Sequence, residues 1–113
     1  MAEVFRKAKV FVQGKEAGLL YETDEGYEFR YRTEYAMDPN NPAVSLTIPI
    51  REEVYRSTVL FPFFDGLIPE GWLLDVAVRN WKLDPADRFG LLLHTCKDCI
   101  GDVQVERAEE SDL

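Results

Sequence analysis

Residues 27–35 read YEFRYRTEY, and the alternation in that stretch decides the class of fold. Tyr27, Phe29, Tyr31, Thr33 and Tyr35 fall on one side of an extended chain, and Glu28, Arg30, Arg32 and Glu34 on the other. A period of two, aromatic on one face and charged on the other, predicts an antiparallel strand with one dry and one wet side. Asp24, Glu25 and Gly26 supply the turn before it.

On the N-terminal side, AKVFVQ (8–13), the glycine-bearing GKEAG and then LLYETDEG predict two strands joined by a short turn. On the C-terminal side, DPNNPA (38–43) reads as a loop, because prolines and asparagines favour turns and oppose a continuing ladder. VSLTIPI (44–50) then sets Val44, Leu46, Ile48 and Ile50 on one face of a further strand, and Pro49 places the end of that strand at a sheet edge.

From Pro69 to about Lys82 the period becomes helical, with Pro69 suited to the first turn and Glu70 to the positive end of the helix dipole. Leu73, Leu74, Ala77, Val78 and Trp81 share its core face. A second helix is announced by LDPADRFGLLLHTC, with Asp84 as cap, Pro85 at the first helical position, and Phe89, Leu92, Leu93 and Cys96 on one side. Gly90 inside it costs about 1 kcal/mol relative to alanine, which predicts close packing there. GDVQVE returns to strand, and RAEESDL, from about residue 107, reads as a frayed acidic tail. Strands, then two helices, then a strand predict one α+β domain over residues 1–113: an antiparallel sheet of about five strands, its closure into a barrel left open, with two helices packed on one side.

Thirteen basic against twenty-one acidic residues give a net charge of −8. Such a chain repels a phosphate backbone, so direct nucleic-acid contact is not expected. The same charge suits a basic protein partner or serves solubility alone. No apolar run approaches the ~20 residues of a membrane span, and none near the start has signal-peptide character, which together predict a cytoplasmic protein. Cys96 and Cys99, the only cysteines, fit a reducing compartment.

Their C-x-x-C spacing can mean a redox pair or half of a zinc site. Only His94 joins them, however, where structural zinc wants four ligands, and the strand-to-helix setting of a thioredoxin-type pair is missing. His94 falls opposite the apolar face of its helix, which makes it a solvated residue. No glycine-rich phosphate loop occurs, and spacing singles out no acid and base pair. No catalytic, cofactor-binding or metal-binding residue is therefore assigned, and the chain is not expected to be an enzyme.

The stretch that invites function is LFPFFDGLIPEGW, residues 60–72. Its phenylalanines either plug the bottom of a small core or form a contact patch. On the following helix Trp72 shares a side with Val76 and Leu83, flanked by Asp75 and Arg79 and opposite Trp81. It acts either as the outer half of a hydrophobic staple with Leu67, Ile68 being the cap, or as a rigid anchor at an interface.

The hairpin GKEAGLLYE, the strand GYEFRYRTEY, AVSLTIPI, LFPFFDGLIPEGW, DRFGLLLHTC and KDCIGDVQVE together resemble the amino-terminal domain of the HipA family of serine/threonine kinase toxins, over roughly residues 8–106. Lys97 stands where that family often has glycine and Asp102 where alanine is usual, so the turn before the last strand differs. In the family the domain precedes a kinase core that holds the ATP site, the catalytic aspartate and the metal ligands. The resemblance implies a chain without that core, unable to phosphorylate by itself. It looks like HipS, the small antitoxin subunit of systems whose HipT kinase and HipB DNA-binding protein are separate chains.

What the resemblance implies is an antitoxin that holds a HipT-like kinase inactive in a complex with a HipB-like protein. The alternative is a non-catalytic scaffold that stabilises or activates a split kinase. On either reading the expected contact residues are Phe63, Phe64, Asp65, Leu67, Ile68, Glu70, Trp72, Val76 and Arg79. A loop stiffened by prolines and glycines would deliver them with little entropy left to lose.

Overall fold

In the computed structural model, which describes residues 3–68, 78–79, 82, 84–95 and 102–108, the first hairpin turns on Gln13 and Gly14. Both hold positive φ, 51° and 81°, as a two-residue hairpin turn whose twist matches its strands requires. The turn joins β1 (Val4–Val12) to β2 (Lys15–Thr23), with Val12 opposite Lys15. The 24–25 turn then leads into β3 (Gly26–Tyr31), and Thr23 Oγ1 braces it by accepting from the Glu25 amide at 3.2 Å. With β4 (Tyr55–Ser57) and β5 (Val103–Arg107) the sheet runs β4-β3-β2-β1-β5, every neighbour antiparallel. β4 and β5 stand at opposite edges, so the sheet is open and does not close into a barrel.

Register lines up the core. Val105, Val10, Gly18 and Tyr31 form one row across the sheet, and Ala8, Leu20 and Phe29 the next. At Gly18 the missing side chain leaves room for a neighbour: a β-carbon there would lie 2.8 Å from Cζ of Phe29. Against this face pack Phe61, the helical turn α2 (Pro62–Asp65) with its buried Phe64, and α3 (Arg88–Thr95) with its buried Phe89, Leu91 and Leu92. The domain is thus a small α+β fold.

The strand predicted to run through Tyr35 stops at Tyr31. Thr33–Met37 is a short helix, α1, opened by the Ala36 amide donating to the Arg32 carbonyl at 2.9 Å. Tyr31 and Tyr35 still share one side, because four residues complete both two strand repeats and about one helical turn. Their rings stack at 6.3 Å.

VSLTIPI does not form a strand either. It closes into a tight turn in which the Ile48 amide donates to the Ser45 carbonyl at 3.0 Å and the Thr47 amide to Ser45 Oγ at 3.2 Å. Short hydroxyl side chains compete with the ladder for backbone groups, and Pro49 has no amide to give it. The fourth strand comes later, at Tyr55–Ser57.

Three tyrosine hydroxyls fix the loop between α1 and β4: Tyr31 donates to Ile48 O, Tyr35 to Pro42 O at 2.5 Å and Tyr55 to Pro49 O at 2.6 Å. Tyr31 also accepts from the Val44 amide at 2.9 Å. Burial pushes the Tyr31 hydroxyl up to about 12, so it stays protonated and keeps its role as donor.

The second predicted helix begins later than expected. Asp84 caps a turn, accepting from the Ala86 amide at 2.9 Å, and the helix cap is Asp87, whose Oδ1 accepts from the Gly90 amide at 3.1 Å. Gly90 is as tightly placed as its cost implied: a β-carbon there would lie 2.3 Å from Asp87 Oδ2 and 3.2 Å from Arg6 Nη1. At the C-terminal end Arg107 belongs to β5 and the Ala108 amide donates to the Lys7 carbonyl at 2.9 Å, so the first two residues of the predicted tail are tied down, and the rest of it, 109–113, lies outside the described residues. The helix predicted from Pro69 to about Lys82 lies outside the described residues, apart from Val78 and Arg79, which are helical, and Lys82.

Candidate functional site

Pro62 starts α2 because its fixed φ suits a first helical position and its missing amide would have had no partner there. The Asp65 amide donates to the Phe61 carbonyl at 3.0 Å and the Gly66 amide to that of Pro62 at 2.9 Å. One helical turn separates the phenylalanines by role. Phe64 is wholly buried, with the rings of Phe63, Phe29 and Phe61 at 5.3, 5.6 and 6.2 Å. Ile68 is buried as well. Neither offers surface to a partner in this conformation; they fasten the segment to the sheet.

Phe63 and Leu67 are half-buried at the margin of the core. Asp65 is half-buried too, its Oδ1 accepting from Arg88 Nε at 2.7 Å. Arg79 is exposed. Glu70, Trp72 and Val76 lie outside the described residues, and with them the choice between staple and anchor for Trp72.

Beside this segment opens a cleft of about 440 Å³ lined by Tyr27, Val59, Leu60, Pro62, Asp65 and Arg88, among others. Its walls are largely apolar, and its charge is the Asp65–Arg88 pair. Such a recess can take an apolar or aromatic side chain and offer hydrogen-bonding groups at its rim. Val59, 64% exposed, stands at the cleft. No sequence signal singles out Tyr27, Val59 or Arg88: by period Tyr27 belongs to the strand's apolar face, and no spacing rule pairs Asp65 with a cation 23 residues away.

Arg88 is positioned by a charged fork behind it. The Arg6 guanidinium, on β1, donates to both carboxylate oxygens of Glu22 (2.7 and 2.8 Å) and to both of Asp87 (2.7 and 2.9 Å), and lies 5.2 Å from the Phe89 ring centre. Arg6 thereby ties β1 and β2 to the cap of α3, and α3 carries Arg88 to Asp65. The hydrogen bonds that Arg6 donates to Glu22 and Asp87 raise its pKa further above its ordinary value, and the bond from Arg6, ahead of that from the Gly90 amide, holds the Asp87 carboxyl below its own.

The Asp87 shift has a sign. A depressed carboxyl contributes stability that is complete above its unfolded pKa and disappears as pH falls through the lower, folded value. Denaturant titrations over a pH series should show stability dropping below about pH 4. Asp87→Asn, less stable at neutral pH, should show a shallower drop; an unchanged acid slope would remove Asp87 from the account.

Among the described residues no group of three or more His, Cys, Asp or Glu side chains is arranged to hold a metal ion. No helix there is long and apolar enough to cross a membrane. His94 is exposed, as predicted, and Cys96 and Cys99 lie outside the described residues.

Residues 8–106 match the family described as HipA N-terminal domain. An uncharacterized protein of Haemophilus influenzae is 34% identical over 110 residues, a match that takes in 97% of this chain and 100% of that one. A solved structure titled N-terminal domain of HipA toxin superposes with a TM-score of 0.73 at 33% identity, covering 97% of this chain and 99% of that one.

Proposed function

The chain belongs to the HipA N-terminal domain family, and from that premise we propose that it is an antitoxin-type subunit of a toxin–antitoxin system. It binds a separate, HipT-like serine/threonine kinase chain and holds it inactive, in a cytoplasmic complex that also contains a HipB-like DNA-binding protein. It performs no catalysis of its own. The observation that carries this reading is the end-to-end match to a HipA N-terminal domain, at a TM-score of 0.73 and with 99% of that domain covered. The Haemophilus relative, matched over its full length, supports a domain that also occurs in small chains.

The docking segment is the one that begins at α2. Phe64 and Ile68 hold it to the sheet, and Phe63, Asp65 and Leu67 stand at its margin beside the open cleft. Glu70, Trp72, Val76 and Arg79, on the helix that the sequence predicts after it, are proposed to continue the contact, with Trp72 entering or bordering the catalytic cleft of the kinase. A base this firmly packed leaves little to order on binding, so most of the aromatic burial appears as affinity.

Trp72→Ala is the direct test. Kinase inhibited by the wild-type chain should recover activity with the variant, while the variant's melting temperature stays near that of the wild type. Unchanged inhibition, or loss of the fold, would reject the anchor.

A scaffold role is the second reading, favoured by the buried positions of Phe64 and Ile68. They make much of the segment structural rather than presented. On that reading the chain raises kinase activity.

A further inference from the structure

Phe64, Phe89 and Leu92, which the helices bring to the sheet, all join the core on one of its sides. On the other side the register sets out a different surface. One row across the strands reads Arg56, Glu28, Tyr21, Lys7; the next reads Arg30, Leu19, Lys9, Glu106; the third reads Glu16, Phe11, Gln104. Leu19 is 7% exposed and yet, like the half-buried Phe11 and Tyr21, has no place in the core cluster. These three are diagonal neighbours across β1 and β2 and form an apolar strip of their own.

The charge of this outer face is the reverse of the chain's. Its rows, with Arg32 bridging to Glu16, hold five cations, Lys7, Lys9, Arg30, Arg32 and Arg56, against three carboxylates, Glu16, Glu28 and Glu106. The whole chain has thirteen against twenty-one. Two of the three carboxylates are already engaged: Lys9 and Arg32 share Glu16, and Arg56 stands 3.8 Å from Glu28. Arg30, directly opposite Leu19, is exposed. The margins are mixed, with Lys15 at the hairpin end and Glu3, Asp24 and Glu25 at the far end, so the positive excess lies in the middle, round Leu19.

This face is continuous with the cleft beside α2. At the β4 edge a recess of about 230 Å³ shares Tyr27 and Thr58 with that cleft and Glu28 and Arg56 with the outer face. A polypeptide seated in the cleft therefore has an open path round β4 onto the sheet.

We propose that the outer face receives an acidic segment of the kinase chain, whose carboxylates meet Arg30 and Lys7 and whose apolar side chain covers the strip at Leu19. The inference rests on the kinase-binding role proposed above and extends that contact round the sheet edge. Charge complementarity selects the occupant. A continuous phosphate backbone fits worse, because Glu16, Glu28 and Glu106 stand within the face and the chain as a whole carries −8.

The test is a binding titration of the purified kinase chain with the wild type, Arg30→Glu, Arg30→Gln and, as a control, Arg107→Glu, at low and high salt. Arg107 is exposed on β5 and falls, by alternation, on the other side of the sheet. Arg30→Glu should weaken binding about ten-fold at low salt and Arg30→Gln about three-fold, both losses shrinking at high salt. Arg107→Glu makes the same change in net charge as Arg30→Glu and should bind as the wild type does. Melting temperatures should stay near that of the wild type, since Arg30 is exposed. If Arg30→Glu melts lower, Arg30→Gln carries the test.

Equal affinity of both Arg30 variants and wild type overturns the inference and leaves the inhibitory reading intact. An equal loss in Arg107→Glu does the same, because net charge alone then explains it. Weakened binding of Arg30→Glu to a kinase that the wild type binds without inhibiting rejects the inhibitory reading alone. A wild-type chain that does not bind the kinase overturns both. If the Arg30 variants bind the kinase normally but lose binding to a single-stranded oligonucleotide, or change self-association in sedimentation, the occupant is a nucleic acid or a second copy of this chain and the inference fails.

Discussion

Phe64→Ala is expected to destabilise the domain by about 3–5 kcal/mol, the range for removing a fully buried aromatic ring from a core that cannot collapse around the cavity. Phe64 is 0% exposed and makes ring contacts with Phe29, Phe61 and Phe63 at 5.3 to 6.2 Å. It joins the sheet, through Phe29, to the segment proposed to dock the kinase. Domains of this size hold roughly 5–15 kcal/mol in all, so much of the population could be unfolded at physiological temperature. Urea denaturation measures it, and Phe63→Ala, half-buried in the same helix, should cost clearly less. Similar small losses for both variants would mean that Phe64 does not occupy the centre of the core.

Gly26→Ala is the second large effect, and it acts through the backbone. Gly26 holds φ at 133°, a region where side-chain-bearing residues are strained by about 1–3 kcal/mol. Strain is only part of the loss. A β-carbon there would sit 2.2 Å from the Ser57 carbonyl oxygen and 2.8 Å from the Thr58 Cα, both main-chain atoms that cannot swing aside.

The β3–β4 ladder consists of Tyr27 with Ser57, Glu28 with Arg56 and Phe29 with Tyr55, so a displaced Ser57 gives up one end of a very short strand. A loss of about 3 kcal/mol or more is expected, with hydrogen-exchange protection lost first at Tyr55–Ser57. The wall of the cleft formed by Val59 and Leu60 should move with it, so that the proposed kinase binding weakens more than the stability loss alone explains. Wild-type stability and protection in Gly26→Ala would contradict the close approach.

These positions show which parts of the fold were legible in the sequence. β1, β3 and β5 alternate with period two, a signal that belongs to the strand itself and survives without knowledge of its neighbours, whereas β2, buried at four consecutive positions from Ala17 to Leu20, is legible through the glycine-bearing turn before it. Tyr31 and Tyr35 deceive because a spacing of four satisfies both periods, and only the change from extended backbone at Arg32 to helix from Thr33 decides between them. Leu46 deceives for a related reason: the apolar alternation of 44, 46, 48 and 50 is real, but the Ser45 hydroxyl, itself bonded to that of Thr47, captures the Thr47 amide and the chain turns with Leu46 outward. β4, three residues long, is too short to carry a pattern.

The segment from Phe63 to Trp72 drew notice through composition, whereas the contacts that hold it depend on distances set by the whole fold. Arg6 meets Asp87 across 81 residues, and Arg88 meets Asp65 across 23. No local rule links those pairs. The Gly90 penalty alone hinted at one of them, since a residue that costs helix stability is kept where something must pass close by.

As proposed, this chain inhibits a kinase while acting as a separate subunit. The measurement that reaches this inhibition most directly is phosphoryl transfer by a purified HipT-like kinase chain of the kind proposed as its partner, assayed with none, equimolar and excess amounts of the purified chain. Activity is expected to fall in step with complex formation and to level off once the kinase is saturated. A rate that rises on addition of the chain, or one that does not respond although the complex forms, contradicts the account.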